Sequence, residues 1–264
     1  MKANSRYLGA LILAPFILLV FLGGVPLKVF TIILSVIGMN EFYKALNEKG
    51  FKPIYLVGYI LLLLYYVLGN NFENLMLVLI LSTCLLLTVP IITEKYNFID
   101  VSLTLLGFIY VGILFSFIYL VNEKDGGQFY VWLIFVGSWM TDTVAYYSGR
   151  FFGKHKLCPR VSPKKTVEGS IGGLLGSTIS CGLLGLLTNT YIAPIPIYHF
   201  FLIGFICGIF SQYGDLVAST VKRYVGVKDY GNIIPGHGGI LDRFDSILFS
   251  GVVVFYYLTF ILGI

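Results

Sequence analysis

From Ser102 to Val121 the chain reads S-L-T-L-L-G-F-I-Y-V-G-I-L-F-S-F-I-Y-L-V, twenty positions without an acid or a base. A hydrocarbon core about 30 Å thick takes roughly 20 helical residues to cross. Lipid offers no water to an unpaired backbone N–H or C=O, so a segment that spans it must be a helix. Working outward from this run, comparable apolar segments fall at residues 7–23, 26–46, 53–70, 73–92, 128–149, 169–189, 198–222 and 241–263. Together they predict an all-α, polytopic membrane helix bundle of about nine transmembrane helices.

Composition excludes the soluble alternative. The 264 residues are 57% hydrophobic, 16% aromatic and only 12% charged, with a mean hydropathy of +0.87. A soluble domain is about a quarter charged, and a water-facing surface this poor in charge would aggregate. The net charge of +5 does not point to nucleic acid. The basic residues lie between apolar segments, where they set topology and can bind phosphate, with no aromatic-interleaved patch on a soluble domain. Cys84, Cys158, Cys181 and Cys207 show neither C-x-x-C spacing nor a His at metal spacing. Three of them sit in apolar stretches as small hydrophobes, which argues against a disulfide framework or a zinc site.

Charge placement orients the bundle. Lys2 and Arg6 precede an apolar run that lacks a small-residue cleavage site and is followed by further spans, so it reads as a retained first helix. With nine spans and a cytoplasmic N-terminus, every Lys and Arg except Lys28 and Lys124 falls on the cytoplasmic side, as the positive-inside rule requires. Residues 1–125 then form an N-terminal transmembrane scaffold of about five spans. Residues 126–264 form a C-terminal transmembrane catalytic region of about four spans with two long cytoplasmic loops, Arg150–Glu168 and Lys222–Arg243.

Polar residues inside spans are costly and default to functional candidates. Asp142 and Asp215 are embedded in otherwise apolar segments, either as functional acids or as partners in helix–helix contacts. Glu41 lies near the cytoplasmic end of the second span, where a snorkelling, structural role comes first. The second long loop runs from Ser219 through Lys222, Arg223, Lys228, Asp229, Gly236, His237, Gly238, Gly239, Asp242 and Arg243 to Asp245. Its cations suit phosphate, with Arg able to grip bidentately. Its glycines let backbone N–H groups approach an anion. Asp242 and Asp245, at i and i+3, share a face if a helix begins there, and hard oxygen ligands that leave room for substrate phosphates suit Mg²⁺. The first loop ends S-P-K-K-T-V-E-G, with Ser162, Lys164, Lys165, Thr166 and Glu168. Thr166 can cap the helix that follows, whose N-terminus attracts anions; the basic cluster can equally be a topology signal.

These residues resemble those of the phosphatidate cytidylyltransferases, also called CDP-diacylglycerol synthases. That family's S-x-x-K-R-x4-K-D … P-x-H-G-G-x-x-D-R-x-D run is met from Ser219 through Asp245. S-Q-x-G-D ending at Asp215, D-T-x-A-Y-x-x-G-R-x-F-G-K from Asp142 to Lys154, and S-P-K-K-T-x-E-G from Ser162 to Gly169 are similar to family features. The resemblance implies transfer of CMP from CTP to phosphatidate with a divalent metal, by a homodimeric enzyme of the cell (cytoplasmic) membrane whose site faces the cytoplasm. On that reading Asp215 and Asp242, then Asp245 and Asp142, are the metal ligands, and the density of acids accommodates a second, monovalent cation. Lys222, Arg223, Lys228 and Arg243 neutralise phosphates beside Asp229, while Ser162, Lys164, Lys165, Thr166, Glu168, Ser219, Gly236, Gly238 and Gly239 bind substrate. His237 is a base, a shaper of the Gly-rich turn or a donor to a phosphate. Competing readings are a CTP-dependent polyprenol or lipid kinase, which would release CDP, and a transporter or flippase, which would show polar or broken spans in both halves.

Overall fold

The computed structural model describes residues 16–68, 72–191, 195–234, 236 and 238–264. Most of the first expected span, with Lys2 and Arg6, therefore lies outside the described residues; residues 16–22 are helical and lead into the next helix.

The backbone is helical wherever the sequence is apolar. In chain order the helices are α1 (Gly24–Glu48), α2 (Tyr55–Leu68), α3 (Phe72–Ile92) and α4 (Phe98–Asn122), then α5 (Gly127–Phe152), α6 (Val167–Thr188), α7 (Tyr198–Val225) and α8 (Leu241–Leu262). Helix α4 contains a wider, π-type turn at Phe108–Ile113, and α8 ends in another at Tyr257–Leu262. Among the described residues, six helices are long and apolar enough to cross a membrane: α1, residues 74–92 of α3, α4, α6, α7 and α8. Helix α2 is only 14 residues long. Helix α5, at 26 residues, has the length but carries polar residues. The chain is thus an all-α, multi-pass membrane protein. Large side chains such as Leu56, Val67, Ile91 and Phe260 point outward, which lipid rather than water satisfies.

Basic residues lie at both ends of the bundle. At one end Lys49 lies over the Tyr224 ring, Phe51 stacks on the same ring, and Lys52 N donates to Asp100. This end also holds the C-terminus of α7 and the Arg223 side chain, which reaches Val161 O. At the other end Lys28 lies over Tyr119 and Lys124 donates to Ile264 O.

The polar end is built around α5, α6, α7 and α8. Helix α6 presents glycines to α5: a Cβ on Gly173 would lie 2.8 Å from Thr141 O, and one on Gly169 2.8 Å from Ala145 O. The two backbones therefore approach as closely as small residues permit. Between α5 and α6 the long polar loop contains a strand pair that the sequence reading did not foresee. It folds into an antiparallel hairpin, β1 (Lys156–Cys158) with β2 (Ser162–Thr166). The hairpin runs straight into α6, whose first turn Thr166 caps by accepting from Gly169 N at 3.1 Å.

Candidate active site

Helices α5, α6 and α7 and the hairpin enclose a cavity of about 460 Å³. Its polar lining is Asp142 and Arg150 from α5, Lys164, Lys165 and Thr166 from β2, Ser170 from α6, and Gln212 and Asp215 from α7. Lys165 Nζ pairs with Asp215 Oδ2 at 2.5 Å, each side chain being about a quarter exposed at 26% and 28%. Ser219, one turn along α7, donates to Asp215 Oδ1 at 3.2 Å. Asp142 makes no hydrogen bond or ion pair among the described residues, and it interacts at longer range with Asp215, Lys165 and Arg243.

A second basin of about 380 Å³ is formed by the loop before α8 and is lined by Lys228, Asp229, Asn232, Ile234, Gly236, Gly238 and Arg243. Gly236 and Gly238 have φ of 77° and 85°, the left-handed region that favours glycine. They let the chain double back so that Ile234 N donates to Gly238 O at 2.9 Å. Lys228, Asp229 and Arg243 are exposed. Arg243, in the first turn of α8, lines this basin.

Helix α8 begins at Leu241, and Asp242 and Asp245 share its first turn as the i, i+3 spacing predicts. Their surroundings differ from expectation. Asp242 is buried; its Oδ1 accepts from Lys222 Nζ at 2.7 Å, and its Oδ2 accepts from Tyr230 N at 2.7 Å and Gly239 N at 2.9 Å. In this state it anchors the loop rather than standing open to a metal, and Lys222, buried beside it, is an internal partner rather than a free phosphate donor. Asp245 is buried as well; it accepts from Ser246 N at 2.8 Å and interacts with Asp215, Lys222 and Asp142. Asp142, Asp215 and Asp245 lie within electrostatic reach of one another, yet among the described residues no three His, Cys, Asp or Glu side chains stand together as a metal cage.

Three further expectations are corrected. Gly239 does not offer its amide to an anion, because Asp242 takes it and the residue is buried. Glu168, expected among the substrate ligands, is engaged locally: it accepts from Lys154 N at 3.0 Å and His155 N at 3.2 Å and pairs with His155 Nδ1 at 2.7 Å, fixing the entry to the hairpin. Glu41 does not snorkel. It is 3% exposed and accepts from Ile240 N at 3.0 Å and Leu241 N at 2.8 Å. Ser162 lies in β2, on the strand that carries Lys164 and Lys165, and Arg223 is held at the surface against Val161 O and Val227 O. His237 lies outside the described residues. Sequence reasoning did not single out Gln212, which donates to Ser170 O at 3.2 Å and ties α7 to α6 at the cavity wall; its place in the S-Q-x-G-D run was the available signal.

The family model described as "Cytidylyltransferase family" matches residues 4–261. Among curated proteins, the chain is 38% identical over 244 residues to a phosphatidate cytidylyltransferase of Staphylococcus haemolyticus, covering 89% of this chain and 90% of that one. It is 37% identical over 252 residues to the protein of the same name from Bacillus subtilis, covering 91% of each. A third, from Staphylococcus aureus, is 38% identical over 255 residues, covering 92% of this chain and 94% of the relative.

Proposed function

Because the chain belongs to the cytidylyltransferase family, we propose that it transfers CMP from CTP to phosphatidate, releasing pyrophosphate and leaving CDP-diacylglycerol in the bilayer. The observation that carries this reading is the presence of two cation-lined basins at the same polar end of a membrane bundle. Such a site suits two polyanions, one arriving from water and one held by its acyl chains.

A phosphatidate phosphate oxygen attacks the α-phosphorus of CTP, the bond to the α–β bridging oxygen breaks, and pyrophosphate leaves. The nucleophile is already ionised at neutral pH, so no strong base is needed. The barrier lies in bringing two anions together in line, and positioning and electrostatics supply the catalysis. Lys164, Lys165 and Arg150 serve the cavity, and Lys228 and Arg243 the loop basin; each neutralises phosphate charge and fixes its direction. Mg²⁺ characteristically takes one or two carboxylates plus substrate phosphates rather than an all-protein cage. The open Asp142 and the partly exposed Asp215, both lining the cavity, fit that donor set, with the buried Asp245 within electrostatic reach of both. These residues would hold the ion, which when bound would offset charge on the departing pyrophosphate. We place the enzyme in the inner (cytoplasmic) membrane with this end facing the cytoplasm, supported by the one-sided distribution of Lys and Arg. From the family resemblance we take it to act as a homodimer.

The test is incubation of the purified protein with CTP labelled at the α-phosphate, phosphatidate and Mg²⁺. Label entering lipid with one pyrophosphate per lipid supports the proposal. Label left in free CDP would make the protein a kinase, and no turnover would overturn both.

A further inference from the structure

Three consecutive backbone amides, those of Gly239, Ile240 and Leu241, lead into the first turn of α8 without a backbone acceptor, as amides at a helix start do. Gly239 N is taken by Asp242. The next two, Ile240 N and Leu241 N, are taken by Glu41 Oε1 and Oε2 at 3.0 and 2.8 Å. Glu41 belongs to α1, some 200 residues away in sequence, and is the one contribution from the N-terminal half to the loop's hydrogen bonding among the described residues. It is a carboxylate 3% exposed, with no ion pair among the described residues. The positive end of a helix dipole and two charge-assisted bonds are what offset its burial.

The loop is shaped around this carboxylate. A Cβ on Gly231 would lie 2.5 Å from Glu41 Oε1, and a Cβ on Gly239 would lie 2.5 Å from both oxygens. Glycine stands at both ends of the turn because Glu41 occupies the space between them. The next ring on α1, Phe42, packs 6.3 Å from Tyr230, whose amide also binds Asp242.

We propose that Glu41 is a positioning residue for the reaction: by pinning residues 239–241 to α1 it sets the direction in which Asp242, Arg243 and Asp245 leave the first turn of α8. This rests on the cytidylyl-transfer reading for its catalytic readout only. A misplacement of about 1 Å at such a site costs on the order of a hundredfold in rate.

The experiment compares Glu41→Ala, Glu41→Gln, Gly239→Ala and the Glu41→Ala/Gly239→Ala double variant with the parent, each as monodisperse protein in one detergent. kcat and the CTP KM are measured per folded molecule, and tryptic cleavage at Lys228 and Arg243 is timed. The expected result is a fall in kcat of tenfold or more in Glu41→Ala with KM moved less. Glu41→Gln should lie between, since its amide can accept from only one of the two N–H groups, and cleavage should be faster in both. Gly239→Ala should match Glu41→Ala because its methyl displaces the carboxylate. The double variant should be no worse than either single, because the clash vanishes with Glu41. A cap that merely stabilises would lower yield and leave kcat per folded molecule unchanged. That outcome, unchanged cleavage, or multiplying defects in the double variant would overturn the proposal. Should Glu41→Ala not fold, Glu41→Gln and Gly239→Ala carry the test. An inactive parent would sink the reaction while leaving the cleavage arm to judge Glu41.

Discussion

Replacing Lys222 with Met removes one charge from a buried pair while keeping the bulk of the side chain. Nζ and Oδ1 are 2.7 Å apart, and the two side chains are 10% and 2% exposed. At an effective dielectric near 20 the attraction is about 6 kcal/mol before desolvation is subtracted. Removing one partner of such a pair costs about 3–5 kcal/mol, because the other charge stays buried and uncompensated. Asp242 also orders Tyr230 and Gly239 through their amides, so its displacement should loosen the whole loop before α8. With about 2–4 °C per kcal/mol for a chain of this size, Lys222→Met should lower the thermal midpoint by roughly 6–20 °C in a fixed detergent, followed by loss of the monodisperse peak. Lys228→Met is the control: Lys228 is exposed and outside any ion pair among the described residues, so it should stay within about 0.5 kcal/mol of the parent. Adding Asp242→Asn to Lys222→Met should restore part of the lost stability by removing the stranded charge, without restoring turnover. A midpoint for Lys222→Met no lower than that of Lys228→Met would refute the reasoning.

Lys165→Met and Asp215→Asn break a pair that is partly exposed and worth about 0–1 kcal/mol. Thermal midpoints should barely move while liponucleotide synthesis falls a hundredfold or more; a stability loss as large as that of Lys222→Met would reverse the assignment. Chelating divalent cations should stop turnover, and Mg²⁺ should restore it; full activity in excess chelator would remove the metal from the mechanism. Gly173→Ala drives a methyl against Thr141 O and should destabilise the protein by about 1–3 kcal/mol, and an unchanged midpoint would contradict the close packing of α5 on α6.

Hydropathy made the spans legible because lipid leaves the backbone no other choice: α7 begins at Tyr198 and α8 at Leu241, the positions at which the sequence turns apolar. Spacing made Asp242 and Asp245 legible as neighbours, and Thr166 as a cap, because both are local relations within one turn. What escaped was non-local or weakly encoded. Strands β1 and β2 are three and five residues long, too short and too charged to show an alternating pattern. Nothing around Glu41 announces that its partners are the amides of Ile240 and Leu241. Lys222 reads in sequence like Arg223 and Lys228, and only the fold separates the buried partner of Asp242 from the cations at the surface. Glycine signals were ambiguous in the same way: Gly236 and Gly238 are there for their dihedrals, Gly239 for the space its missing side chain leaves to Glu41.

The two Lys–Asp pairs at the polar end have nearly equal lengths and opposite chemical situations, and burial is what separates them. Asp242 has every oxygen committed, to a buried ammonium and two amides, so a phosphate that competed for Lys222 would have to strand a charge with no water to receive it. Lys165 and Asp215 are a quarter exposed and face a cavity with Asp142 alongside. There an arriving phosphate could take the ammonium, and the freed Asp215 carboxylate would then be available to help hold a cation that offsets phosphate charge. The buried pair therefore holds the loop in place, and on the proposed reaction the partly exposed pair is the one able to exchange partners. On the proposed reaction, the transferred phosphorus would accordingly lie nearer Asp215 and Asp142, which line the cavity, than Asp242.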